Sequence, residues 1–181
     1  TLEEEFVRKG YGLYRLKVMY NQFVLVGPPS DPAGVEGLGN ITLAMKKILE
    51  NRSKFCSRGD DSGTHAKEKE LWALAGFNWE GLRDEDWYRE SGTGMGKTLQ
   101  IAEEFQGYTL TDIGTYLKYR GQGLITLTPL VDEGKELLNT YSVIAVNPEK
   151  HPGVNFQGAL AFIKFLVSEE GQKLIQGYGL D

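Results

Sequence analysis

The densest potential chemistry in the chain lies in one run, Ser57-Arg58-Gly59-Asp60-Asp61-Ser62-Gly63-Thr64-His65, set just before a predicted helix. An anion site needs hydrogen-bond donors and a favourable field. A helix N-terminus supplies both, through unpaired backbone N–H groups and positive partial charge. Ser62 and Thr64 add hydroxyls, and Gly63 lets a ligand approach the backbone closely. Arg58 adds a planar fork that can hold two oxyanion oxygens at once. The same residues also suit a plain capped turn, with Asp61 or Ser62 as N-cap and Arg58 paired to Asp60 at the surface. Arg58-Gly59-Asp60 is also the cell-adhesion tripeptide. That use needs an exposed, flexible apex, and here a helix start follows at once.

A second glycine-rich helix start is Ser91-Gly92-Thr93-Gly94-Met95-Gly96-Lys97-Thr98. It is a Walker A phosphate loop except that Ser91 stands where the first glycine belongs, so a phosphoryl-handling enzyme is the alternative reading. A true phosphate loop follows a buried apolar strand, and its lysine reaches the β- and γ-phosphates. The residues upstream are charged, Asp84-Glu85-Asp86-Trp87-Tyr88-Arg89-Glu90. The physical content that survives is a second anion-facing helix N-terminus. Thr109-Leu110-Thr111-Asp112 reads as a third helix start, with Thr111 as N-cap. Asp60 and Asp61 are the candidates for a carboxylate pair, though neighbours at a helix start more readily cap it or orient Arg58. His65 reads as solvent-facing, Cys56 as a buried inert thiol, and Met45, Trp72 and Trp79 as packing residues.

Composition narrows the classes. The chain has 181 residues, 40 % of them hydrophobic, and a net charge of −5. A nucleic-acid binder is normally basic, so no nucleic-acid partner is expected. No apolar run approaches the ~20 residues of a membrane-spanning helix. A single Cys and two His exclude a disulfide framework and a multi-Cys or His-rich metal site. Asn40-Ile41-Thr42 and Asn51-Arg52-Ser53 match the glycosylation acceptor pattern, which is short enough to occur by chance.

The elements that must position these residues alternate between strand and helix. Leu13–Tyr20 and Phe23–Val26 read as strands, and Gly27-Pro28-Pro29-Ser30-Asp31-Pro32 as a break. Helices are expected over residues 41–50, 64–75, 97–105, 111–119, 156–167 and 169–175, with Ser168 capping the last. Strands are expected over 55–57, 108–110, 124–131 and 141–146. This predicts an α/β fold with a substantially parallel sheet. Residues 28–139 form one lobe, and residues 1–27 with 140–181 form part of another. Two lobes joined by two crossings leave a cleft, the usual place for a small ligand. Residues 1–6 read as the tail of a helix closed by Gly10, so the chain is expected to be an internal fragment or a processed product.

Taken together, several motifs resemble the periplasmic tungstate-binding proteins of ABC transporters, within the phosphate/sulfate/molybdate-type solute-binding superfamily. They are Val18-Met19-Tyr20-Asn21-Gln22-Phe23-Val24-Leu25-Val26-Gly27-Pro28, the Ser57–His65 run, Thr93-Gly94-Met95-Gly96, Tyr108-Thr109-Leu110-Thr111-Asp112 and Tyr141-Ser142-Val143-Ile144-Ala145-Val146-Asn147-Pro148. The resemblance implies a two-lobed periplasmic-binding-protein-like (type II) α/β fold. It implies capture of a tetrahedral oxyanion, tungstate or molybdate, in an interdomain cleft, for delivery to an ABC transporter permease. It implies a periplasmic or extracellular location, no catalysis and no cofactor. Arg58, Ser62, Gly63 and Thr64 match the Arg-x-x-x-Ser-Gly-Thr pattern with which phosphate-binding relatives grip their anion. Thr93 and Gly94 follow as further ligand positions. The hinge strands would be Phe23–Val26 and Ser142–Val146. A hydroxyl-rich Thr/Ser loop near the N-terminus completes the site in that family, and nothing in residues 1–20 matches it.

Overall fold

The computed structural model describes residues 2–178. Thr1, assigned above to the first helix, and residues 179–181, assigned to the C-terminal flank, lie outside the described residues. The chain divides into two compact units, one of residues 2–20 with 140–178 and one of Asn21–Asn139.

The central unit is built on a mixed sheet. Strand β1 (Gly12–Gly27) pairs antiparallel with β4 (Thr109–Asp112) on one side and with β5 (Thr128–Val131) on the other. Strands β2 (Phe55–Ser57) and β3 (Tyr88–Glu90) pair in parallel, and a parallel bridge joins Phe55 to Tyr108 beside β4. The order is therefore β3-β2-β4-β1-β5, with β1 the reversed strand. The expectation of a substantially parallel sheet is corrected at this position. Helical crossovers make β2, β3, β4 and β5 run alike. β1 enters from the other unit and is inserted between β4 and β5 without a crossover to either. The two strands expected over Leu13–Tyr20 and Phe23–Val26 are one continuous strand.

Phe23–Val26 is apolar throughout because both faces of β1 are covered here. Phe23 and Leu25 join a core with Ile41, Met45, Phe55, Trp72 and Tyr108. Val24 and Val26 face a second core with Cys56, Met95, Leu99, Tyr116 and Leu127. Buried on two faces, the segment reads as a run rather than an alternation. The chain crosses between units at Tyr20/Asn21 and Asn139/Thr140. The first crossing lies inside β1 rather than at the proline-rich turn, and both precede the segments expected as hinges. Phe23–Val26 is the packed centre of its own unit's sheet.

Gly27 closes β1 where no side chain fits. A Cβ there would lie 2.5 Å from Cδ1 of Tyr108 and 2.8 Å from Cδ1 of Leu130. The Tyr108 hydroxyl donates to Asp31 at 2.7 Å and accepts from the Ala33 N–H at 2.8 Å, so the hydroxyl end of the ring is held by two bonds. Gly27→Ala is expected to cost about 1–3 kcal/mol of stability through overpacking, measured as a lower urea midpoint with an unchanged slope.

The helices of this unit follow their signals closely. Helix α2 (Ile41–Glu50) is capped by Asn40, whose side chain accepts from the Leu43 N–H at 2.9 Å. Helix α3 spans Gly63–Leu74 and α4 spans Met95–Phe105. Helix α5 (Ile113–Gly121) is capped by Asp112, not Thr111. Asp112 accepts from both the N–H and the hydroxyl of Thr115, while Thr111 is buried in β4. The third helix start is thus a structural cap.

In the other unit, α1 (Leu2–Arg8) precedes β1, and β6 (Leu138–Val146) pairs with β1. Helices α6 (Phe156–Leu166) and α7 (Glu169–Gly177) follow, with Ser168 capping α7 through the Gly171 N–H at 3.1 Å. Asn147 ties the return strand to the start of β1, donating to the Gly10 carbonyl at 2.8 Å.

Candidate functional site

Strands β2 and β3 run parallel, so their carboxyl ends lie side by side, and each leads through a short loop into a helix N-terminus. That end of an open α/β sheet is where ligands bind. The β2 loop carries Arg58 to Ser62 into α3. The β3 loop carries Ser91 to Gly94 into α4.

The loops are bonded to each other. The N–H groups of Ser91 and Gly92 donate to the carbonyls of Ser57 (2.9 Å) and Arg58 (3.0 Å). The Ser91 hydroxyl donates to the Arg58 carbonyl at 3.1 Å and lies 2.7 Å from the Thr98 hydroxyl. Arg58 reaches across in turn, its Nε donating to the Thr93 carbonyl at 3.3 Å. Its Nη2 lies 2.9 Å from Asp60 Oδ2, which uses only part of a fork that carries five N–H donors. Ion pair and anion donor, weighed as alternatives from sequence, are therefore compatible in one side chain. Burial works against the Asp60 charge, but hydrogen bonds from Ser62 and the Arg58 guanidinium outweigh it and hold the carboxyl below its ordinary range.

Ser62 is the N-cap of α3, its hydroxyl accepting from the His65 N–H at 3.3 Å. The amides of Gly63 and Thr64 have no partner within their own helix, as at any helix start. Gly94 caps α4 with no side-chain hydrogen bond, leaving the mouth of that helix to its backbone donors. A Cβ on Gly63, Gly92 or Gly94 would meet nothing within 4 Å. Open space thus adjoins both helix mouths. The structure places Arg58, Ser62, Gly63 and Thr64 on the first loop and helix start, and Thr93 and Gly94 on the second, joined by the Arg58–Thr93 bond.

The phosphate-loop alternative gains nothing from this geometry. The hydroxyl that such a loop offers to magnesium belongs here to Thr98, which is fully buried and bonded to the Thr93 and Gly94 carbonyls at 3.3 and 3.2 Å. Thr98 staples its own loop shut.

Two residues behind the loop were misjudged from sequence or missed. His65 is 2 % exposed, not solvent-facing. Its Nδ1 accepts from the Asp61 N–H at 3.0 Å, and its ring packs edge-on against Trp79. This acceptor steadies Asp61, whose φ of 56° lies in the left-handed region. Burial, and then the Lys69 charge, lower the imidazole pKa and keep Nδ1 an acceptor. Glu68 is 1 % exposed, although it sits in the charged run Lys67-Glu68-Lys69-Glu70. Helical phase was the available signal: positions 65, 68 and 72 share one face, and Trp72 marks it as inner. Cys56 is the buried thiol expected, pushed up to about 12 by burial and then by the Glu68 charge.

Comparison with known proteins fits this geometry. Residues 2–170 match the family model described as a PBP superfamily domain. The chain is 48 % identical over 179 residues to the tungstate-binding protein TupA of Peptoclostridium acidaminophilum, covering 98 % of this chain and 60 % of that protein. It thus spans less than two thirds of that relative's length. A solved structure titled as the tungstate ABC transporter from Geobacter sulfurreducens superposes with a TM-score of 0.82 at 42 % identity, over 98 % of this chain and 73 % of that one. The tungstate-binding protein TupA from Desulfovibrio alaskensis G20 gives 0.80 at 43 % identity, over 96 % and 69 %. By sequence and by its type II α/β fold, the chain belongs to the PBP superfamily.

Proposed function

We propose that this chain carries the oxyanion-binding surface of an extracytoplasmic solute-binding protein. Its ligand is tungstate, with molybdate as the near competitor, and the loaded protein serves an ABC permease. The observation that carries the reading is the Arg58 guanidinium at the carboxyl ends of β2 and β3, bonded to both loops between two helix N-termini. The similarity to tungstate-binding proteins supports the choice of anion. Tetrahedral dianions carry the same charge, so discrimination rests on cavity size and donor geometry. The reading is of capture and release, with no bond made or broken.

The test is a calorimetric titration of the chain with sodium tungstate, with molybdate and sulfate as competitors. Binding that prefers tungstate is expected. A folded chain that binds none of the three refutes the proposal. Magnesium-dependent ATP binding separates the enzymatic alternative: the parent is expected to show none and Lys97→Ala to keep its oxyanion affinity, whereas ATP binding by the parent that Lys97→Ala abolishes would favour the enzyme.

Gly63→Ala gives a finer probe. The added methyl meets no protein atom, and alanine in a helical position gains roughly 0.5–1 kcal/mol of stability over glycine. The methyl also occupies the approach to the α3 amides. The variant is expected to melt no lower than the parent yet to bind tungstate more weakly. Equal or tighter binding would remove Gly63 from the site.

A further inference from the structure

Glu68 has no place in the anion contacts, yet it lies directly behind them. One carboxylate oxygen accepts from the Ser57 hydroxyl at 2.8 Å. The other accepts from the Tyr88 hydroxyl at 2.6 Å and from Trp72 Nε1 at 3.2 Å. Tyr88 is held in turn by Trp79 Nε1, which donates to its hydroxyl at 2.8 Å. A buried carboxylate is a poor device for stability, because desolvation offsets most of what its partners return. Its acceptors are spent on Ser57, the residue before Arg58, on Trp72, and on Tyr88 of β3, the strand that delivers the second loop. Burial pushes the carboxyl up to about 7, while the Tyr88, Ser57 and Trp72 donors pull against that shift.

We propose that Glu68 is the positioning residue of the oxyanion site: its carboxylate holds Ser57 from behind and so fixes the loop that aims the Arg58 guanidinium. This deepens the oxyanion reading and rests on it. Arg58 is held by Ser91 and Gly92 through its carbonyl and by Thr93 and Asp60 through its side chain, and Glu68 anchors the residue before it through the Ser57 hydroxyl. The side-chain contacts are exposed to exchange with a ligand. The Ser57 contact is not: it is buried, and Glu68 supplies it from α3. An amide in its place offers one accepting oxygen instead of two. Either Ser57 on one side, or Tyr88 and Trp72 on the other, then loses its acceptor.

The experiment compares the parent chain with Glu68→Gln in two ways. The first is amide hydrogen exchange without ligand. Faster exchange is expected in residues 57–62, with the β1 and β4 amides unchanged. The second is tungstate titration of Glu68→Gln, Arg58→Ala and the double variant. Glu68→Gln alone is expected to weaken tungstate binding about tenfold or more. In the Arg58→Ala background it should change affinity by no more than about twofold, because a residue acting through Arg58 has nothing left to aim. Unchanged exchange in 57–62, or losses that simply add, would overturn the positioning role. If the parent binds no tungstate, molybdate or sulfate, the oxyanion reading fails and the exchange arm alone decides the positioning claim. Should Glu68→Gln not fold, Ser57→Ala removes only the loop-side hydroxyl. Faster exchange confined to residues 57–62 then supports the proposal, and unaltered exchange overturns it.

Discussion

Arg58→Ala is expected to lower tungstate affinity by at least about 1.5–3 kcal/mol, the scale of a hydrogen bond to a charged group. The structure argues for the upper part of that range. The guanidinium is the cation placed at both loops, and it neutralises Asp60 at 2.9 Å. Its removal takes the fork from the dianion and leaves an uncompensated carboxylate beside the site. That carboxylate repels the incoming charge. The variant should fold, because its side-chain contacts are partly exposed and the loop backbone keeps its bonds to Ser91 and Gly92. Calorimetry with tungstate, after circular dichroism shows a native spectrum, checks both statements. Unchanged affinity in a folded variant would remove Arg58 from the site. Arg58→Lys should recover part of the loss, since it restores charge without the two-pronged geometry.

Trp72→Ala is expected to be the most damaging single truncation in the central unit, at about 3–5 kcal/mol. Trp72 is fully buried. Its indole packs edge-on against Phe55 of β2 at 5.1 Å between centroids, against Trp87 at 6.2 Å and against Tyr88 of β3 at 6.4 Å. It also donates to Glu68, so truncation opens a cavity and withdraws a donor from a buried carboxylate at once. The measurement is the denaturant midpoint. A loss under about 1 kcal/mol would show that the surrounding aromatic residues close over the gap. Trp72→Phe, which keeps most of the volume but not the N–H, separates the packing loss from the hydrogen-bond loss.

The first half of the site was legible because its chemistry is local. An arginine four residues before a Ser-Gly-Thr helix start announces donors, a cap and a dipole within one turn. Thr93 and Gly94 were legible for the same reason, as a second glycine-rich start. What joins the two was not legible. The Arg58–Thr93 bond and the Ser91–Arg58 bond depend on β2 and β3 being neighbours, and local sequence does not specify strand order. Glu68 and His65 were obscured by composition: a charged tract reads as solvated until the phase set by Trp72 is followed round the helix. The apolar run of β1 was plain, but its direction was not. Strand–helix alternation predicts parallel neighbours, and a strand inserted between them leaves no local mark.

That inserted strand bears on how the chain is made as well as on how it stands. β1 leaves the ribosome before both of its partners in the central sheet, Thr109–Asp112 and Thr128–Val131, which are synthesised much later. Until they arrive, Phe23-Val24-Leu25-Val26 lacks both strands that it bonds to in the central sheet. Closing the middle of the sheet therefore waits on long-range pairing, the slow step in folds dominated by non-local contacts. In the interval the nascent chain carries an unpaired, wholly apolar strand, the kind of segment that aggregates or engages a chaperone. Translation paused before Thr109 is expected to yield an insoluble product, and translation paused after Val131 a soluble one.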